Sequence, residues 1–136
     1  MTEPTGGCLC GAVTYVVDGP LRDVLHCHCV NCRKVSGNFV ASSGSATDDL
    51  TITDENDRLA WYDLGYAKYG FCSACGSSLF WRGSEHAERT SIQAGSLSDA
   101  SALNLVGVWF ADEAQGHLLV DGSVPHFAGN DDGGDV

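Results

Sequence analysis

Hydrophobic and β-branched residues occur along this chain in short runs separated by turn residues. Residues 12–17 read AVTYVV and are followed by Asp18-Gly19-Pro20, which predicts a strand that ends in a turn. Similar runs predict further strands at residues 38–43, 50–52, 68–71, 78–81, 90–95, 105–110 and 117–120. The pattern therefore predicts a mainly β protein.

Helical patterns are confined to one or two short turns. One is predicted at residues 31–34, and the other at residues 98–102, where Ser98 is a candidate N-cap. Residues 129–136 are rich in glycine and aspartate, which predicts a flexible acidic tail. No repeat or linker interrupts the remainder, so we expect a single domain over residues 1–128.

Composition narrows the class of protein. With 43% hydrophobic residues among 136, the chain can bury a core. The formal net charge is -11, and no basic stripe is present to meet phosphates, which argues against nucleic-acid binding. We expect a cytoplasmic protein with no membrane partner, because neither a secretory signal nor a spanning apolar run is evident. The acidity fits ordinary solubility and also a high-salt cytoplasm, and the sequence leaves both open.

Seven cysteines fall into three tight clusters. Their spacings are C-x-C, C-x-C-x-x-C and C-x-x-C, formed in turn by Cys8 and Cys10, by Cys27, Cys29 and Cys32, and by Cys72 and Cys75. Thiolates this close together can converge on one zinc ion at about 2.3 Å, whereas such near neighbours seldom reach disulfide geometry. Gly11 and Gly76 directly follow two of the clusters, which predicts turns with positive φ. The clusters predict zinc binding.

Loop length favours a division of the seven thiolates into two sites. Cys27, Cys29 and Cys32 lie within six residues, while the other four form two arms that one zinc would join across a long loop. The four-cysteine site is complete as a tetrahedron and would be structural; the three-cysteine site keeps an open position, as catalytic zinc sites do. Two alternatives remain: His26 or His28 closes the second site, or the structural site borrows Cys32.

Three segments, in order, resemble the glutathione-dependent formaldehyde-activating enzyme family, also called the centromere-protein-V-like family. They are GCLCG at residues 7–11, CHCVNCRKVSG at 27–37 and FCSACG at 71–76, and the resemblance extends from residue 6 to about residue 127. It implies small antiparallel sheets pinned by zinc, a β-tent fold. It also implies two zinc ions per chain, a structural one on Cys8, Cys10, Cys72 and Cys75 and a catalytic one on Cys27, Cys29 and Cys32.

A zinc ion with three thiolate ligands is suited to holding a further thiol as thiolate. We therefore expect a small thiol such as glutathione to react there with formaldehyde or another small aldehyde. Formation or cleavage of the S-hydroxymethyl adduct would make the protein a carbon–sulfur lyase. Arg33 and Lys34, which follow Cys32, are candidates for binding the anionic thiol.

Two other functions remain open on the sequence. With both zinc ions structural, the chain would be a non-catalytic binding module; with a reactive cluster, it would be a thiolate–zinc redox sensor. Exposed strand edges are compatible with a homodimer in either case.

Overall fold

The computed structural model describes residues 3–130 and confirms a mainly β fold. Within these residues there are ten strands and one α-helix, α1 (Val30–Ser36). The strands are β1 (Thr5–Gly7), β2 (Thr14–Val17), β3 (Arg22–Cys27), β4 (Val40–Ala46), β5 (Leu50–Thr53), β6 (Leu59–Asp63), β7 (Ala67–Cys72), β8 (Ser78–Gly83), β9 (Arg89–Gln93) and β10 (Leu105–Trp109). Short 3₁₀ turns occupy Thr47–Asp49, Ala94–Ser96 and Ala111–Glu113.

The strands form two sheets. The smaller is antiparallel, with the order β1-β2-β5. The larger has seven strands in the order β10-β3-β4-β9-β8-β7-β6. All its pairs are antiparallel except β10 with β3, which run parallel. The antiparallel arrangement expected from the family resemblance is therefore present, with one parallel pair added.

The main core brings together residues of both sheets. Its buried members are Val13, Tyr15, Val17, Cys72, Leu79, Phe80, Ile92 and Leu97. The ring of Tyr15 in β2 meets that of Phe80 in β8 edge-on, with centroids 5.3 Å apart. Gly6 lies where a Cβ would collide with the Tyr15 ring, so this close approach of β1 requires glycine.

A second, smaller core lies at the other end of the large sheet. Leu25, Val40 and Trp109 pack there with the buried cysteines Cys27 and Cys32. These two cysteines belong to the second cysteine cluster, so part of that cluster lies in the protein interior.

Two predicted elements are wrong. Residues 117–120 form a turn and irregular backbone instead of a strand, and Leu119 is 97% exposed, so it has no face to pack against. Residues 98–102 are not helical: the Asp99 carboxylate accepts the Ser101 N–H at 2.9 Å, a local turn that competes with helix. The 3₁₀ turn comes earlier, at Ala94–Ser96.

Only residues 129 and 130 of the predicted tail, residues 129–136, are among the described residues. Residues 131–136 lie outside the described range, while the Gly129 carbonyl accepts a hydrogen bond from the Phe110 N–H at 3.1 Å. Among residues 3–130, no helix has the length and hydropathy needed to cross a membrane.

Candidate metal centres and cavity

The first centre is built by two strand connections from different sheets. Cys8 and Cys10 lie between β1 and β2; Cys72 ends β7, and Cys75 lies in the turn that leads to β8. The four sulfurs all lie within 4.8 Å of one another. Sγ of Cys10 is 3.6 Å from that of Cys8 and 3.8 Å from that of Cys72. A zinc tetrahedron with Zn–S bonds of about 2.3 Å has edges of about 3.8 Å, so the set fits zinc.

Tight turns hold these sulfurs in place. Gly11 and Gly76 both have φ of +80°, which confirms the predicted left-handed turns. The Gly76 N–H donates to the Cys72 carbonyl at 2.7 Å, and the Val13 N–H donates to Cys8 Sγ at 3.3 Å. Hydrogen bonds from the Ser77 hydroxyl and then its backbone lower the pKa of Cys75 to about 5, which favours the thiolate.

The second centre forms where a strand passes into a helix. Cys27 ends β3, Cys29 is the N-cap of α1, and Cys32 lies in its first turn. Their sulfurs also lie within 4.8 Å of one another. The Cys32 N–H donates to Cys29 Sγ at 3.2 Å, so the cap fixes one sulfur relative to the other. Cys32 groups with these two cysteines and not with the other four, as the division by loop length predicts.

The three thiols of this second group, hereafter the triad, have very different acidities. Hydrogen bonds from Cys27 and then Cys32 lower the pKa of Cys29 to about 2. The bond with Cys29 raises the pKa of Cys27, and so do the bond with Cys32 and burial. At Cys32 the bond with Cys27 lowers the pKa, but the bond with Cys29 and burial outweigh it and raise the pKa to about 11. Without metal, the triad therefore holds one thiolate, at Cys29, and two thiols.

Tyr69 is a site residue that the sequence did not indicate. Its Oη lies 3.5 Å from Cys32 Sγ, and the side chain is buried. Burial first, and the neighbouring Cys32 second, raise the pKa of Tyr69 well above its usual range, so the phenol stays protonated and can donate to the Cys32 sulfur once that sulfur is a thiolate. Such a donor orients a ligand sulfur.

A cavity of about 640 Å³ adjoins the triad. Its volume is in the range of about 300–1,000 Å³ that small-molecule sites occupy. All three triad cysteines line it, and none of the other four does. Aromatic side chains make up much of the remaining wall: Tyr66, Tyr69, Trp81, Trp109 and Phe110. Of the two cysteine groups that could hold a metal ion, the triad is thus the one that a small molecule can approach through this cavity.

Backbone strain shapes one edge of the cavity. Phe110 adopts φ of +52°, a conformation that bulky side chains rarely take. It turns the chain from β10 into Ala111–Glu113, and Glu113 joins the cavity wall.

The other sequence candidates lie around the triad without lining the cavity. Lys34 is exposed on α1, and Arg33 is half-buried beside it; neither is among the described residues that line the cavity. Their role in substrate binding stays a prediction. His26 and His28 pack against Phe39, with ring centroids 4.3 and 5.2 Å from its ring. No histidine nitrogen of residues 3–130 joins the three sulfurs, so the structure does not support histidine as a fourth ligand.

Comparisons with known proteins find a matching family model and similar solved structures. The family model described as glutathione-dependent formaldehyde-activating enzyme matches residues 3–112. The fold is similar to the crystal structure of a Rhodobacter sphaeroides protein, a structural genomics target, with a TM-score of 0.59 and 25% sequence identity. That match covers 90% of this chain and 98% of the other. No curated protein sequence matches the chain significantly.

Proposed function

Because this chain belongs to the glutathione-dependent formaldehyde-activating enzyme family, we propose that it is a zinc-dependent carbon–sulfur lyase. Its substrate would be the adduct of a thiol, such as glutathione, with formaldehyde or another small aldehyde. One observation carries the proposal: the three-sulfur triad lines a cavity of small-molecule size, and the four-sulfur group does not.

The two cysteine groups have different capacities for a further ligand. Four sulfurs complete the coordination of a zinc ion, whereas three leave one position for an outside group. Zinc held by Cys27, Cys29 and Cys32 would supply the charge that stabilises a substrate thiol as its thiolate. We therefore assign a structural role to the four-cysteine group and a catalytic role to the triad.

The lyase reaction needs only a proton shift and one bond cleavage. As the adduct breaks down, its hydroxyl proton is lost, a carbonyl double bond forms, and the C–S bond breaks with its electron pair remaining on sulfur. In the reverse direction the thiolate attacks the carbonyl carbon, and the oxygen takes up a proton. The chain contributes an aromatic wall that limits water around the reacting sulfur and the Tyr69 hydroxyl that orients Cys32.

The cavity favours this function over a purely structural second zinc. A binding module with two structural sites requires no concave space beside the triad, and a redox sensor requires only that oxidants reach its thiolates. A space of about 640 Å³ beside the three sulfurs is what a bound substrate requires.

Cys29→Ser tests the proposal. We expect this variant to lose one zinc per chain by metal analysis and to cleave S-hydroxymethylglutathione no faster than buffer does. Val35→Ala, an exposed change on the same helix, serves as the matched control and should keep both zinc and activity. Full activity in a Cys29→Ser protein that has lost one zinc would disprove a catalytic triad.

A further inference from the structure

Breakdown of the thiol–aldehyde adduct releases a proton that no residue named so far receives. As the C–S bond breaks, the hydroxyl proton of the adduct must pass to a base, and transfer to a positioned side chain typically accelerates such a step by about 100- to 10,000-fold. Apart from the triad and two tyrosines, three titratable side chains are among the described residues that line the cavity: Glu85, His86 and Glu113.

Two of these three side chains lie at the solvent. Glu85 and His86 are exposed in the loop that follows β8, and Nδ1 of His86 lies 3.5 Å from the Glu88 carboxylate. An exposed base competes with water and buffer for the proton, so it adds little to the rate. The tyrosines are no better suited, because phenols are protonated at neutral pH and act as donors.

Glu113 has a different position. It is half-buried and ends the 3₁₀ turn Ala111–Glu113, which comes directly after β10. In β10, Trp109 pairs with Cys27 of the triad, and its carbonyl accepts the His28 N–H at 3.1 Å. The turn that carries Glu113 therefore starts from the strand residue that lies against the triad.

The backbone of Glu113 is fixed on both sides, whereas its carboxylate is unpaired. The Glu113 N–H donates to the Phe110 carbonyl at 3.0 Å, and its own carbonyl accepts Nε2 of Gln115 at 3.2 Å. The carboxylate forms no hydrogen bond or ion pair with any of residues 3–130. Phe110, with φ of +52°, supplies the strained turn that brings Glu113 into the wall. Strained backbone of this kind is concentrated at functional sites.

We propose that Glu113 is the general base of the adduct's breakdown. Its carboxylate takes the hydroxyl proton, the O–H electron pair becomes the second bond of the carbonyl, and the C–S pair leaves on sulfur. In the reverse direction the carboxyl group returns the proton to the oxygen as the thiolate attacks. The inference rests on the proposed function and adds a catalytic residue to it. Glu113 lies just beyond residues 3–112, which match the family model, so the match does not assign this role.

Glu113→Gln keeps the size of the side chain and removes the base. For the zinc-loaded variant we expect kcat for formaldehyde release from S-hydroxymethylglutathione to fall by about 100-fold or more, after the rate in buffer is subtracted. Zinc content should not change. Isothermal titration calorimetry should show glutathione binding no more weakly than it does to the unaltered protein. Asp112→Asn, an exposed change in the same turn and outside the wall, is the matched control and should keep its activity.

Chemical rescue separates proton transfer from a structural role. Glu113→Ala leaves room for a small carboxylate, so added formate should raise its rate by about tenfold or more in a saturable manner. Formate should not accelerate the unaltered protein or Glu113→Gln, where the position is filled.

The other outcomes contradict the inference. Unchanged kcat in Glu113→Gln would overturn it, and so would a loss that formate does not rescue in Glu113→Ala. An equal loss in Glu85→Gln would assign the effect to the charge of the wall, and weakened glutathione binding in step with the rate would make Glu113 a binding residue. Either result would overturn the inference while leaving the proposed function intact. An unaltered protein that neither binds glutathione nor accelerates the breakdown would instead remove the proposed function itself.

Discussion

Cys29 both caps a helix and provides a metal-ligand candidate. As the N-cap of α1 it accepts the Cys32 N–H, and hydrogen bonds from Cys27 and Cys32 lower its pKa far below the usual thiol range, which favours the thiolate. Its neighbours Cys27 and Cys32 have raised pKa values and hold their protons. The metal-free triad therefore carries one negative charge, and a metal ion that binds all three sulfurs must displace the protons of Cys27 and Cys32.

This proton count predicts the pH dependence of zinc binding at the triad. Because Cys27 and Cys32 must each lose a proton, zinc affinity should fall by about 100-fold for each unit decrease in pH near neutrality. Competition with a chelator at several pH values measures this slope, and Cys29→Ser identifies which zinc belongs to the triad. A pH-independent affinity, or a slope of three protons, would contradict the assigned charge states.

Tyr69→Phe should weaken the triad without disturbing the fold. It removes the hydroxyl that lies 3.5 Å from Cys32 Sγ and keeps the ring in the core. We expect about a tenfold loss of zinc affinity at the triad, measured by chelator competition, with an unchanged melting temperature. Tyr62→Phe, which alters the opposite residue on β6 where the side chain is 63% exposed, should change neither quantity. Equal affinities in the two variants would show that the phenol does not orient the sulfur.

The seven cysteines could be predicted from the sequence, because their spacing alone brings sulfurs together. Tyr69 and Trp81 could not, since their place in the wall depends on which strands neighbour the triad. They face each other across the β7–β8 hairpin, and it is the packing of this hairpin beside the triad that local patterns do not encode.

At the scale of elements, one glycine terminates helix α1. Gly37 has φ of +80° and its N–H donates to the Arg33 carbonyl, which closes the helix. Gly37→Ala should cost about 1 kcal/mol, because a side chain disfavours this conformation although nothing lies within 4 Å of its Cβ. Gly95→Ala, also in open space but without a positive φ, should change stability little. Urea unfolding compares the two; equal losses would contradict the conformational argument.

The four-cysteine group should stabilise the fold far more than the triad does. Its two arms come from the β1–β2 connection of the small sheet and the β7–β8 hairpin of the large one. A structural zinc contributes about 10 kcal/mol or more to folding, as much as the whole stability of many domains. Cys75→Ser should therefore leave much of the chain unfolded by circular dichroism, whereas Cys29→Ser should stay folded. Equal stability of the two variants would contradict this division.

The sequence predicts strands correctly where a hydrophobic run is bounded by turn residues. It fails where a segment becomes a strand only because it pairs with a strand elsewhere in the fold. Strands β2, β5 and β8 lie within or close to their predicted ranges. The short β1 and the edge strand β6 were not predicted; β1 reads only Thr-Gly-Gly and is a strand because it pairs with β2. Residues 117–120 have a strand-like composition but no partner strand among the described residues.

At the scale of the whole molecule, the two cysteine groups occupy different surroundings. One joins the two sheets, and the other lines a cavity at the edge of the small core. The spacing of the cysteines predicted this separation, but the cavity and its aromatic wall emerge only in the assembled fold. The account depends on the triad accepting a thiol as a further ligand.

X-ray absorption at the zinc edge tests that claim most directly, with the loaded protein measured with and without mercaptoethanol, a neutral thiol. We predict that the thiol adds about half a sulfur ligand per zinc on average, because one of the two ions gains a fourth sulfur. Ethylene glycol, its oxygen analogue, should add none, and Cys29→Ser should abolish the change. A spectrum unaltered by excess mercaptoethanol would contradict the account.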